Sequence, residues 1–130
     1  MNKGSSEIGD KTKKIISEIV SINNAIRFVL IVDDKGTPID SKVVTKSFLI
    51  KESHSMPLAA DMLVLKRLLA LYDEIIGENT YAHLIRKHVH VLIFYVKGLI
   101  FLVSCERNTS RREIADISEK IEFIIEKYLV

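Results

Sequence analysis

The sequence predicts an α+β domain built on a five-stranded antiparallel sheet with helices on both faces. Three observations predict it. The apolar periodicity gives the order helix, two strands, helix, three strands, helix. Two of the strands are apolar nearly throughout, as strands with both faces covered are. Consecutive strands follow one another at hairpin spacing, which an antiparallel sheet requires.

The chain begins with a polar stretch over residues 1–10, which we expect to form a flexible leader. A single domain then occupies residues 11–130, because no linker or repeat interrupts it. Ile15, Ile19 and Ile22 repeat at helical spacing and predict a short amphipathic helix. Asn23-Asn24 ends it.

The first two strands are predicted around a turn. Residues 26–32 form an unbroken apolar run with one charge near its start, which indicates a doubly covered strand. Asp33-Asp34-Lys35-Gly36 supplies turn-forming residues. Apolar and polar residues alternate over 39–43, as in a half-exposed edge strand. The signal over residues 45–55 is weak.

A long second helix is predicted over residues 57–76. Ser55 or Met56 is the expected cap, Pro57 fits the first turn, and Gly77 is the expected stop. At 100° per residue the apolar side chains form two neighbouring stripes. One comprises Leu58, Met62, Leu65, Leu69, Tyr72 and Ile76, and the other comprises Val64, Leu68, Leu71 and Ile75. A single sheet cannot cover both stripes.

Three further strands are predicted over residues 80–86, 89–96 and 99–104, the last two joined by Lys97-Gly98. Residues 110–113 form a capping box that opens a final helix. Its apolar face consists of Ile114, Ile117, Ile121, Ile124, Ile125 and Tyr128. Phe123 falls on the opposite side.

The polarity of the strands predicts their order in the sheet. The first and fifth strands are apolar and belong in the middle, whereas the polar second and third strands belong at the edges. The fifth strand must then lie beside the first.

This order of elements, with the hairpins over residues 28–36 and 89–104, resembles the roadblock and dynein light-chain family, with longin-type and profilin-like domains as architectural competitors. The resemblance covers residues 11–129 and rests on hydrophobic patterns. The connection over residues 45–55 is longer than in that family. Members typically dimerise through their third strands and set their central helices side by side as a platform for small GTPases or scaffold proteins. The resemblance implies a helix platform of Val64, Leu68, Leu71 and Ile75 and a dimer edge of Tyr81, His83 and Ile85.

Composition excludes several other classes. The formal charge of +2 is far from the concentrated positive charge of nucleic-acid-binding proteins. The apolar region over residues 91–105 is split by Lys97-Gly98, so we expect no membrane span. One cysteine, Cys105, cannot form an internal disulfide, and with no secretory signal this indicates a cytoplasmic protein.

Two groups of residues are candidates for chemistry. Asp33-Asp34 after an apolar strand resembles the magnesium-binding pair of a receiver domain, but no aspartate ends a later core strand, which favours a turn. A two-residue turn would place His83 opposite His90, on the same sheet face as His88. No cysteine or acid accompanies them, so polar edge residues are favoured over zinc.

We therefore expect a non-enzymatic protein with no cofactor and no catalytic or metal site. The favoured function is a homodimeric scaffold or regulatory module that presents a helix-and-sheet platform to a protein partner. The alternative is a small-ligand sensor domain with a pocket between the sheet and a helix.

Overall fold

A computed structural model describes residues 3–44 and 52–130, with side chains from residue 9 onward except those of 45–52. The predicted weak segment 45–55 therefore lies largely outside the described residues. The elements are α1 (Lys3–Val20), β1 (Ile26–Val32), β2 (Pro38–Val43), a 3₁₀ turn (Glu52–His54), α2 (Ser55–Leu69), a second 3₁₀ turn (Ala70–Tyr72), α3 (Asp73–Ile76), β3 (Tyr81–Ile85), β4 (Val89–Val96), β5 (Leu99–Glu106) and α4 (Arg111–Leu129).

The five strands form one antiparallel sheet in the order β2-β1-β5-β4-β3. The prediction is confirmed: the polar second and third strands lie at the two edges, and the fifth strand lies beside the first. Arg27 is the single charge in β1. It forms an ion pair with Glu106 of β5, which explains how a buried strand accommodates a guanidinium.

The sheet is covered unequally on its two faces. Helices α1 and α4 pack together on one face, where Val29 and Ile31 of β1 contribute to the larger core. Helix α2 packs on the other face, where Phe28, Leu30 and Val32 point. The two sets alternate along β1 because successive side chains of a strand point to opposite faces.

The first helix is longer than predicted. It begins at Lys3 rather than at residue 11, so residues 3–10 extend α1 where a leader was expected. No proline interrupts this stretch, and Thr12 Oγ1 donates a hydrogen bond to the Gly9 carbonyl oxygen at 3.0 Å. The predicted flexibility of residues 1–10 stays a prediction.

The second helix differs from the prediction at its start and in its middle. His54, not Ser55 or Met56, is its N-cap residue and makes no side-chain capping bond. The preceding 3₁₀ turn already gives His54 a helical backbone, whereas a side-chain cap needs an extended one. The predicted continuous helix is interrupted by the 3₁₀ turn Ala70–Tyr72. Its stop at Gly77 is confirmed, with a φ of +85° and a bond from its N–H to the Asp73 carbonyl oxygen.

Candidate interaction surface

The four side chains predicted to form a helix platform are all exposed. Val64, Leu68, Leu71 and Ile75 expose 55, 60, 75 and 79% of their surface. We call this set the α2–α3 face. Isolated exposed apolar residues are ordinary on protein surfaces, but four at helical spacing form a patch of the kind that marks interaction sites.

The other stripe of this helix is covered over only part of its length. Met62 is buried and Leu65 is half-buried against the sheet, but Leu69, Tyr72 and Ile76 are exposed, contrary to the expectation of one covered stripe. A 3₁₀ turn advances about 120° per residue instead of 100°, so three such residues rotate the next helical turn by roughly 60°. The apolar surface beyond Leu69 is therefore larger than the sequence indicates.

Strand β3 forms an open edge of the sheet. Within the described residues its only strand partner is β4. The Thr80 carbonyl oxygen accepts from the Tyr95 N–H at 3.0 Å, and the Arg86 N–H donates to the Val89 carbonyl oxygen at 2.9 Å. Along an antiparallel strand, only every second residue directs its N–H and C=O toward a given neighbour. Residues 80 and 86 direct theirs toward β4, so the three odd-numbered residues between them direct theirs away from β4. These residues are Tyr81, His83 and Ile85, the predicted edge set.

The side chains of this edge set have different environments. Tyr81 is half-buried and stacks on Phe94 with ring centroids 4.9 Å apart. Burial raises the pKa of the Tyr81 hydroxyl, which Ser118 partly opposes as a hydrogen-bond partner. Ile85 is exposed, as is Leu84 on the α2 side of the sheet. The edge thus offers apolar side chains on both faces.

The histidines are arranged differently from the prediction. Residues 86–88 connect β3 to β4, and the turn lies one residue later than predicted, since Arg86 faces Val89. Ile85 rather than His83 therefore lies opposite His90, and His88 is in the connection. His83 and His90 still meet diagonally on one face, with 2.9 Å between His83 Nε2 and His90 Nδ1. The predicted pairing of His83 opposite His90 is therefore wrong, although the two side chains contact each other.

The surroundings of His90 fix the direction of this hydrogen bond. His90 is buried, and its Nε2 lies 3.1 Å from the Arg107 carbonyl oxygen and 3.0 Å from that of Thr109. Carbonyl oxygens only accept, so Nε2 carries the hydrogen. In the neutral ring Nδ1 then accepts from His83 Nε2–H. Both nitrogens of His90 are thus occupied by protein groups.

His83 is held toward its neutral form. Its burial lowers the pKa of His83 below 6.5, and His90 and Arg111 lower it further because added positive charge is unfavourable beside them. In the described part of the chain no three His, Cys, Asp or Glu side chains come together as a metal-ligand group.

The Asp33-Asp34 pair forms a turn. Asp33 Oδ1 accepts from the N–H groups of Lys35 and Thr37, each at 2.9 Å. Gly36 takes a φ of +80°, as the turn requires. One carboxylate is therefore bound to its own backbone while Asp34 is exposed.

A groove of about 380 Å³ lies between the end of α2, α3 and the β4–β5 hairpin. Charged side chains of both signs, including Lys66 and Asp73, line it. Tyr95 Oη and Asn79 Nδ2 also belong to its wall, and both atoms are buried without a hydrogen-bond partner among the described residues. Burial raises the pKa of the Tyr95 hydroxyl. The neighbouring Asn79 amide partly opposes this shift, although the two groups do not form a hydrogen bond of good geometry.

The single thiol is inert. Cys105 is buried in the core beneath α4, and burial raises its pKa to about 12. Across residues 3–44 and 52–130, none of the helices combines the length and the apolar character that crossing a bilayer demands.

Comparison with known proteins gives structural matches only. No family model and no curated protein sequence matches the chain. A Roadblock/LC7 domain from Streptomyces avermitilis superposes with a TM-score of 0.70 at 10% identity, over 88% of this chain and 91% of that chain. A structure described as MglB with tetrameric arrangement gives 0.70 at 12% identity, over 92% and 91%. Myxococcus xanthus MglB gives 0.61 at 18% identity, over 100% and 96%.

The chain therefore has the roadblock fold, as the resemblance predicted. The similarity extends over almost the whole of each matched chain, so it concerns the entire arrangement of sheet and helices. At these identities it defines the architecture and not the activity.

Proposed function

We propose that this protein is a non-enzymatic, homodimeric scaffold or regulatory module of the cytoplasm that presents a composite helix-and-sheet platform to a protein partner. The observation that carries the proposal is the exposure of the α2–α3 face, an apolar surface that one protomer leaves in water. The inert, single thiol agrees with a reducing compartment.

The geometry of β3 supports pairing between two copies. Two antiparallel β3 strands related by a twofold axis at His83 would exchange about six backbone hydrogen bonds, two for each facing pair. At about 0.5–1.5 kcal/mol each these contribute about 3–9 kcal/mol. Association costs about 4–15 kcal/mol, so the edge alone leaves little net affinity, and we infer that burial of the α2–α3 face contributes the rest.

The homodimer is tested by mass measurement in solution. Multi-angle light scattering over a dilution series is expected to give twice the chain mass of 14.8 kDa. His83→Pro removes an outward N–H at the centre of the edge and is expected to weaken the dimer. A wild-type mass of one chain at all concentrations would overturn the homodimer.

A small GTPase is the proposed partner class, by resemblance to the roadblock family. The test is capture from native lysate with GTP-analogue or GDP present. A bound GTPase whose retention depends on the nucleotide and on Leu71 supports the proposal. Equal capture by wild type and Leu71→Lys excludes this platform as its docking site.

A small-ligand sensor is the second candidate, and the groove of about 380 Å³ is the observation that favours it. The unpartnered Tyr95 hydroxyl and Asn79 amide supply the polar groups that a ligand pocket needs. Native mass spectrometry separates the two functions: a retained small molecule, lost on Tyr95→Phe, supports the sensor, whereas a bare dimer supports the scaffold.

A further inference from the structure

A second apolar surface lies on the opposite side of the sheet from the α2–α3 face. Phe123 is 68% exposed on α4, although the rest of that helix's large apolar residues face the core. Beside it, a groove of about 430 Å³ runs between α1 and α4, and its apolar wall includes Ile22 and Ile124. We call Phe123 and this depression the α1–α4 groove.

The cations next to Phe123 on α4 are already paired with acids. Lys120, three residues before it, binds Asp116 with 3.0 Å between Nζ and Oδ2. Lys127, four residues after it, binds Glu18 of α1 with 3.0 Å between Nζ and Oε1. Residues three and four apart are neighbours on a helix, so these two lysines are the cations closest to the ring along α4. Their charge is largely offset.

The acids next to Phe123 have no such partner. Glu119 and Glu126 lie four residues before and three residues after it, and both are exposed. Among the described residues neither takes part in an ion pair. The exposed ring is therefore bordered by uncompensated negative charge.

We propose that the α1–α4 groove binds a basic amphipathic segment of a partner protein. An aliphatic side chain of that segment fills the groove, and its lysine or arginine side chains contact Glu119 and Glu126. A cation lying over the Phe123 ring is further stabilised by the ring's quadrupole. The proposal is independent of the proposed function, because it uses the other face of the sheet.

Charge argues against the other occupants. A second copy presents the same acidic surface, and its lysines there are already paired with Asp116 and Glu18, so Glu119 and Glu126 would meet like charge without a free cation to offset the repulsion. An anionic lipid surface would meet the same repulsion. A basic protein segment has the complementary charge.

The test uses the full chain and a synthetic amphipathic helix of about 18 residues built from leucine and lysine, with a matched peptide in which glutamate replaces lysine. Amide chemical shifts of the ¹⁵N-labelled protein map the site. The lysine peptide is expected to shift α1 and α4 resonances around the groove, with an affinity that falls as salt rises. The glutamate peptide is expected to leave them unchanged.

Two matched variants decide the outcome. Phe123→Ser is expected to weaken binding about tenfold or more, as truncating a central aromatic contact does. Tyr72→Ser removes an aromatic of similar exposure on the other face and is expected to have no effect on groove affinity. Both side chains are exposed, so both variants should fold, which circular dichroism checks. Unmoved groove resonances, equal affinity for Phe123→Ser and wild type, or equal binding of the glutamate peptide would each overturn the proposal.

Discussion

Replacing Leu68 and Leu71 together with lysine should convert a dimer of this protein into folded monomers. Both side chains are exposed in the protomer, by 60 and 75%, so the substitutions remove little from its own core. Lysine has nearly the helix propensity of leucine, which keeps α2 intact at position 68, and Leu71 lies in the 3₁₀ turn that follows α2. In a dimer that buries the α2–α3 face the same lysines would be desolvated beside apolar groups, which is costly.

The size of the effect is set by the exposed fractions. Fully burying a leucine contributes about 1.5–3 kcal/mol, so covering the part that the protomer leaves exposed contributes about 1–2 kcal/mol for each side chain. Four leucines across two copies give about 4–8 kcal/mol. At about 1.4 kcal/mol for each tenfold change, the dimer dissociation constant should rise by about three to six powers of ten.

Sedimentation velocity over a dilution series measures that constant, and thermal unfolding checks that the variant folds. Phe123→Lys is the matched control, since it places a lysine at an equally exposed apolar position on the other face. We expect this control to remain dimeric. A double variant whose dissociation constant stays within about tenfold of wild type would refute the assignment of the α2–α3 face to the interface.

Three further substitutions test local parts of the structure, each by urea unfolding. The pKa of His83 is lowered in the folded protein, so below about pH 6.5 the unfolded chain binds more protons than the folded one, and the free energy of unfolding should fall as the pH falls through that value. His83→Gln should flatten this pH dependence. An unchanged slope in the variant would contradict the assignment. Gly36→Ala should destabilise the fold by more than about 1 kcal/mol, because alanine is strained at this positive φ and its Cβ would lie 3.0 Å from a leucine side chain. Gly98→Ala has a similar φ but open space around its Cβ, so it measures the backbone cost alone. Asp33→Ala should cost about 1–2 kcal/mol through two lost backbone bonds while Asp34→Ala is nearly neutral; equal effects would argue against the turn.

The order of the strands was predictable because the position of a strand in the sheet decides how many of its faces are covered, and that number decides which of its residues are apolar. A strand such as β1 with no polar face cannot lie at an edge, and the alternating residues of β2 cannot lie between two helix layers. Given two central and two edge strands, the short hairpins leave one arrangement, which is the one observed. The exposure of the second helical stripe was predictable from the width of the apolar surface on α2.

The details that the sequence did not reveal depend on tertiary packing. No glycine or proline marks the 3₁₀ turn at Ala70–Tyr72, so a continuous helix was the natural expectation. The β3–β4 connection lacks the Asn-Gly or Gly residues that specify where a tight turn lies, and the turn is one residue later in the chain than predicted, which moved the histidine register by two positions. The 3₁₀ turn rotates the residues that follow it, so the exposure of Ile76 could not be read from a continuous helical pattern.

The unequal cover of the two sheet faces explains why an apolar surface remains on one of them. Five strands about 4.8 Å apart span about 19 Å, whereas one helix is about 10 Å wide and covers about half of that. Two helices suffice on the side of α1 and α4. On the other side α2 contacts β1 and β2, and the β3 residues Ala82 and Leu84 remain partly exposed. A copy paired through β3 would extend the sheet and place its own α2 on the same side, so the apolar surfaces of both copies would lie on one face of the dimer.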